Sequence, residues 1–239
     1  MKSKTVFCTA LALFAGGFLS AQTFNGEKYS AKVSQDGRLL DIKIASVRLF
    51  ESEGASAAFY KKNAEGKQVL GRAFMISDWK NKVFVEKTEK GLCVTKRGTL
   101  NEEGTVNPIF DFEVKKELFR DRIQVKYKFT QLCDLSYDRP IVSSTFTGCA
   151  KELAGISVKS ENNGKNIYTT VSESSPVKSG LGGGQRIRLT SLEGKMTVSA
   201  CGKEQLSIYD ARSWKDDHVY LEVRPQITDG KTGTRILPK

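Results

Sequence analysis

The chain has 239 residues, with 38 Lys or Arg against 27 Asp or Glu, a net charge of +11 and a single histidine, His218. One histidine excludes any site built on two imidazoles, and five cysteines with none at C-x-x-C spacing argue against a zinc site. The length is enough for a β domain whose core needs no metal to fold.

Residues 1–21 read as a secretory signal peptide. Lys2 and Lys4 form a basic start, Val6 to Leu19 is an uncharged apolar run, and Ser20-Ala21 offers a small-residue cleavage site. The apolar run is shorter than the roughly 20 residues of a membrane-spanning helix. No later run is long enough to span a membrane, so an exported protein, periplasmic or extracellular, is expected. Without Lys2 and Lys4, residues 22–239 keep 36 basic and 27 acidic residues, a net charge of +9. That charge favours anionic polysaccharide or the cell envelope as a partner. The basic residues alternate along strands, as with Lys126 and Lys128 or Arg186 and Arg188, and there is no stacking motif of a nucleic-acid module. No nucleic-acid partner is expected.

Period-two patterns dominate the rest. Tyr29 to Ser34 and Leu39 to Ile44 flank Asp36-Gly37, a strong hairpin signal. The phase then slips, with a bulge or bend expected at Ala45-Ser46. Ala57 to Tyr60 is set to meet Gln68 to Leu70. Val83 and Val85 should face Leu92 and Val94 across a turn at 89–91, with Cys93 pointing away. The clearest pair follows: Phe110, Phe112 and Val114 alternate with Asp111, Glu113 and Lys115, and Ile123, Val125, Tyr127 and Phe129 alternate with Gln124, Lys126 and Lys128. Each strand has one apolar and one wet face, as in an antiparallel sheet over a core. Asp111 and Glu113 could pass for the paired acids of a glycosidase, but they belong to the wet face. Later strands are expected at 156–158, 167–171, 186–192, 195–201, 205–209 and 219–223. Residues 173–185, ESSPVKSGLGGGQ, read as a long loop, lacking the pattern of a phosphate-binding loop. No stretch after the signal has a sustained helical period. The expected class is all-β, a large and mostly antiparallel β-sandwich forming one domain over residues 22–239.

Cys93, Cys133, Cys149 and Cys201 allow two disulfides in three pairings, with free buried thiols as the alternative. Cys133 with Cys149 is the first pairing expected.

The opening YSAKVSQDGRLLDIKI, the hairpin FDFEVKKELFRDRIQVKYKFT and the closing SIYDARSW followed by VYLEV resemble the galactose mutarotase-like β-supersandwich superfamily. The resemblance implies a supersandwich-like fold and carbohydrate binding. Catalytic members use histidines on the ring oxygen and a glutamate base. This chain cannot supply two histidines, so the resemblance points to a non-catalytic secreted member.

The candidate site lies in Ser207 to Val223. If the strand stays extended, Leu206, Ile208, Asp210, Arg212 and Trp214 project to one side. Trp214 would stack on a pyranose, while Asp210 and Arg212 would hydrogen-bond hydroxyls or the carboxylate of an acidic sugar. The plainer reading is an Asp210–Arg212 ion pair that anchors a loop. Trp79 has a similar setting and could line the same groove or cap the core. His218 is expected at the margin, as a strand-edge residue or as a lone acid–base group. Neither a cofactor nor a metal is called for. The expected function is carbohydrate or polysaccharide binding without catalysis. The alternatives are a sugar epimerase or polysaccharide-cleaving enzyme using His218, and a structural or protein-interaction sandwich.

Overall fold

The computed structural model describes residues 21–75, 80–101, 108–132, 139–176, 180–200, 205–224, 227–229 and 235–236. The signal-like segment up to residue 20, Trp79, Cys133 and Cys201 lie outside the described residues. Strand after strand follows the alternation of its side chains, and the strands form three sheets.

The first sheet runs in the order β1 (Gln22–Asn25), β2 (Ser30–Val33), β3 (Leu39–Ile44), β4 (Val47–Lys62), β10 (Arg139–Cys149), β17 (His218–Arg224), β16 (Gln205–Asp210), β13 (Gly182–Gly184), with β5 (Gln68–Met75) also paired to β4. The second runs β19 (Arg235–Ile236), β18 (Ile227–Asp229), β9 (Ile123–Gln131), β8 (Pro108–Phe119), β7 (Gly91–Asn101), β6 (Lys80–Thr88). The third runs β12 (Lys165–Thr170), β11 (Ser157–Asn162), β14 (Arg186–Thr190), β15 (Lys195–Ser199). Among the described residues, pairing is antiparallel except between β18 and β9. An apolar cluster draws on all three sheets, through Leu39, Phe50, Phe146 and Leu221 of the first, Val94 and Leu118 of the second, and Val158, Ile187 and Leu189 of the third. This is the all-β, sandwich-like architecture that the alternation predicts. Among the described residues no helix is long and apolar enough to cross a membrane.

β8 and β9 pair as the alternation predicts, with Phe112 opposite Phe129 and Glu113 opposite Lys128. Elsewhere the structure corrects the sequence reading. Of the bulge or bend expected at Ala45-Ser46, the structure has the bend, as a full chain reversal. Ile44 pairs with Val47, and Ala45 takes φ 51°, so a tight turn separates β3 from β4 and explains the phase slip. The glycines of the expected loop form β13, paired to β16 from Gly182–Ile208 to Gly184–Leu206. They lie so close to β11 that a Cβ on Gly184 would sit 2.3 Å from the Glu161 carbonyl and one on Gly182 2.6 Å from Ser160 Oγ. Cys93 and Cys149 carry free thiols, and Cys133, the expected partner of Cys149, lies outside the described residues.

The interior also holds a charged clasp. Lys116 lies on the inward phase of β8, after Phe112 and Val114, and its Nζ donates to Glu53 Oε2 at 2.5 Å and to the Gly37 carbonyl at 2.7 Å. Glu53 also accepts from Leu39 N at 3.0 Å and from Ser144 Oγ at 3.3 Å. Both charged side chains are only 4% exposed. The clasp ties the β2–β3 turn and the centre of the first sheet to the second.

Candidate functional site

Period two carries β16 as far as Asp210 and no further. Leu206, Ile208 and Asp210 face inward, while Ser207 and Tyr209 face outward. Asp210 then caps a short 3-10 turn, Ala211–Trp214, accepting a hydrogen bond from Arg212 N at 3.1 Å. A helical turn advances about a third of a circle per residue rather than half. The extended-strand projection that grouped Asp210, Arg212 and Trp214 on one face therefore fails. The turn ends at Lys215, in the left-handed region with φ 63°.

Asp210 and Arg212 form a structural anchor. Arg212 Nε and Nη2 donate to the two Asp210 oxygens at 2.9 and 2.6 Å. Its remaining donors reach the carbonyls of Ser172 at 2.8 Å and Glu173 at 3.1 Å. The hydrogen bonds and charge of Asp210 hold the guanidinium above its ordinary pKa. Most of the five donors of the fork are thus engaged with protein. Asp210→Ala is expected to cost about 3 kcal/mol or more, because it strands a largely buried guanidinium and removes a cap. The check is denaturant unfolding together with limited proteolysis, which should open at residues 172–175.

Trp214 emerges on the opposite side, with outward-facing residues of β16 and β17. It is 67% exposed and meets Tyr209 edge-on, with ring centroids 5.5 Å apart and planes at 60°. Tyr209 lies beside its cross-strand partner Tyr220 at 5.5 Å, and Tyr220 lies 6.0 Å from the ring of His218. Four rings thus run continuously over the outer face of the first sheet. Register extends this face. Tyr220 pairs with Thr147 of β10, and Thr147 with Ser52 of β4, giving a cross-strand row of hydroxyl-bearing residues that ends at Tyr209.

Polar groups fix the rings. Asp216 accepts from His218 Nδ1 through Oδ1 and from the Tyr220 hydroxyl through Oδ2, the latter at 2.6 Å. His218 Nε2 lies 3.8 Å from Glu51 Oε2. At the other end Ser207 Oγ and Arg224 Nη2 both donate to Glu222 Oε2, at 3.1 and 2.8 Å. Burial and the Asp216 hydrogen bond push the Tyr220 phenol up to about 12, so it stays a donor at neutral pH. The bonds from Tyr220 and then His218 hold the Asp216 carboxyl below the usual carboxylate range. A depressed folded pKa stabilises the fold above the unfolded value and loses that contribution as pH falls through the folded one. The stability difference between wild type and Asp216→Asn is therefore expected to be present at pH 7 and to vanish as pH falls below about 4. Thermal melts across that range check it. The difference should be small because this carboxylate is open to solvent.

Of the sequence candidates, Trp214 and His218 fall on this platform, Asp210 and Arg212 support it from below, and Trp79 lies outside the described residues. Sequence reasoning missed Tyr209 and Tyr220. Their signal was parity: each occupies a polar phase beside Ile208 or Leu221 in a hairpin. Asp216 lies in the connection between the 3-10 turn and β17, and it holds two of the rings. A second concave surface, a shallow groove of about 570 Å³, crosses the outer face of the second sheet at Phe84, Arg97, Asp111, Glu113 and Lys128. Its acids lie on the wet face as expected, and Arg97 Nε takes Glu113 at 2.5 Å. Among the described residues, no group of three or more His, Cys, Asp or Glu side chains is arranged to hold a metal ion. Compared with known proteins, the chain matches no family model and no curated protein at a significant level.

Proposed function

We propose that the protein is an exported carbohydrate-binding β-sandwich without catalysis of its own, and a non-catalytic relative of the galactose mutarotase-like supersandwiches. The observation that carries this reading is the outer ring face of Trp214, Tyr209, Tyr220 and His218, bordered by Asp216, Glu51 and Glu222. An exposed indole supported edge-on by a tyrosine offers a flat apolar surface to the C–H face of a pyranose. The flanking carboxylates and hydroxyls can pair with sugar hydroxyls. The ring planes differ by 35° to 60°, so they do not form one flat shelf. Such a face suits a single saccharide chain rather than the plane of a crystalline polysaccharide. The exposure of Trp214 disfavours the purely structural alternative, in which its ring would fill the core. Export is supported by the signal-like pattern of residues 1–21. A glycan array tests the proposal: wild type retains a defined set of glycans and Trp214→Ala loses it. No retention, or equal retention by the variant, overturns it.

A second reading rests on one observation, the hydrogen bond of His218 to Asp216 within the same face. An oriented imidazole is the core of an acid–base site. Against it, the face is open and excludes no water. Anomer exchange followed by NMR separates the two: catalysis lost in His218→Ala supports the enzyme, while unchanged glycan retention with no exchange supports binding alone.

A further inference from the structure

The sandwich interior holds a small cavity, apolar over most of its wall but with several polar side chains, that the surface platform does not use. It has a volume of about 80 Å³ and lies between β4 and β10 on one side and β7, β8 and β9 on the other. Arg38, Glu53, Lys96, Lys116, Tyr127 and Ser144 supply its polar lining. Lys116 and Glu53 are engaged with each other, as described above. Lys96 is different: the residue is 5% exposed, and among the described residues Asp36 and Glu53 act on its ammonium through charge alone, without a hydrogen bond or close ion pair. The nearby Asp36 is already held by Arg38 and Ser34. Tyr127 Oη is buried beside Ser144 and has no hydrogen bond of ordinary geometry.

The charges around the cavity do not balance. Lys96 and Lys116 bring two positive charges and Glu53 one negative, while Arg38 and Asp36 cancel at the rim. One positive charge is left over inside the fold. An unpaired charge in such a place is costly, and so is an unpaired hydroxyl. A single monovalent anion would cancel the charge and accept from both donors.

We propose that this cavity is a binding site for one small monovalent anion of halide class, held by Lys96 Nζ and Tyr127 Oη. The volume agrees: a water needs roughly 10–15 Å³ of such space, so a halide with a few waters fits. A polysaccharide does not, which makes the site independent of the carbohydrate reading. Access runs past Arg38, whose side chain lines the cavity and is 45% exposed. Burial holds the Lys96 ammonium below the usual lysine range. A bound anion would favour the protonated form.

Bromide is the probe. Crystals of the protein grown in bromide should show an anomalous peak in the cavity, in contact with Lys96 Nζ. Replacing methanesulfonate by bromide at constant ionic strength should raise the wild-type Tm. The apparent bromide affinity should fall at least tenfold in Lys96→Met. Should that variant not fold, Tyr127→Phe serves, with the same direction expected. A cavity holding only water in the bromide crystals overturns the proposal, as does a bromide response unchanged in the variants.

Discussion

Lys116→Met is expected to destabilise the protein by about 3–5 kcal/mol, the cost of leaving one partner of a buried ion pair uncompensated. Glu53 would keep its bonds to Leu39 N and Ser144 Oγ but lose its closest cation. The Gly37 carbonyl would also lose its donor, loosening the β2–β3 turn from the second sheet. Urea unfolding should show a lower midpoint with an unchanged slope. Glu53→Leu combined with Lys116→Met should recover much of the loss, because an apolar replacement of both partners removes two desolvation costs at once. A double variant as unstable as the sum of the single ones would contradict the clasp. The pair is worth testing because it links the β2–β3 turn, β4 and β8, elements far apart in the chain.

Trp214→Ala should have the opposite profile. Its ring is mostly in solvent, so the stability change is expected within about 0.5 kcal/mol. The binding loss is expected to reach about 2 kcal/mol, the threshold of an aromatic hot spot. That is roughly thirtyfold in Kd. Trp214→Phe should retain part of the affinity, since a smaller ring still stacks. Titration calorimetry with a glycan retained on the array gives the numbers. A Trp214→Ala protein that binds as wild type would remove the indole from the site. Set beside Asp210→Ala, which should lose stability, the pair of variants separates the platform from the anchor beneath it.

The alternation of β8 and β9 could be read directly, because an antiparallel strand with one wet face writes its burial into every second residue. β10 could not. It is central, between β4 and β17, yet Ser143, Ser144, Thr145, Thr147 and Gly148 hide its period. Its serines are buried because Glu53 and the cavity need polar neighbours. The clasp was legible in principle: Lys116 occupies an apolar phase of β8, and Lys96 follows Leu92 and Val94 on the same phase of β7. At the platform, parity correctly placed Asp210 and then failed within two residues, because a capped 3-10 turn replaced the strand. Local capping chemistry decided which side Trp214 occupies, and periodicity does not carry that information.

The most direct test of the carbohydrate reading is the position of a bound saccharide in a crystal structure with the glycan best retained on the array. A pyranose ring is expected to stack on Trp214, with its hydroxyls on Asp216 or Tyr220. A saccharide bound instead in the groove beside Phe84 and Arg97, or a protein that retains no glycan at all, would contradict it.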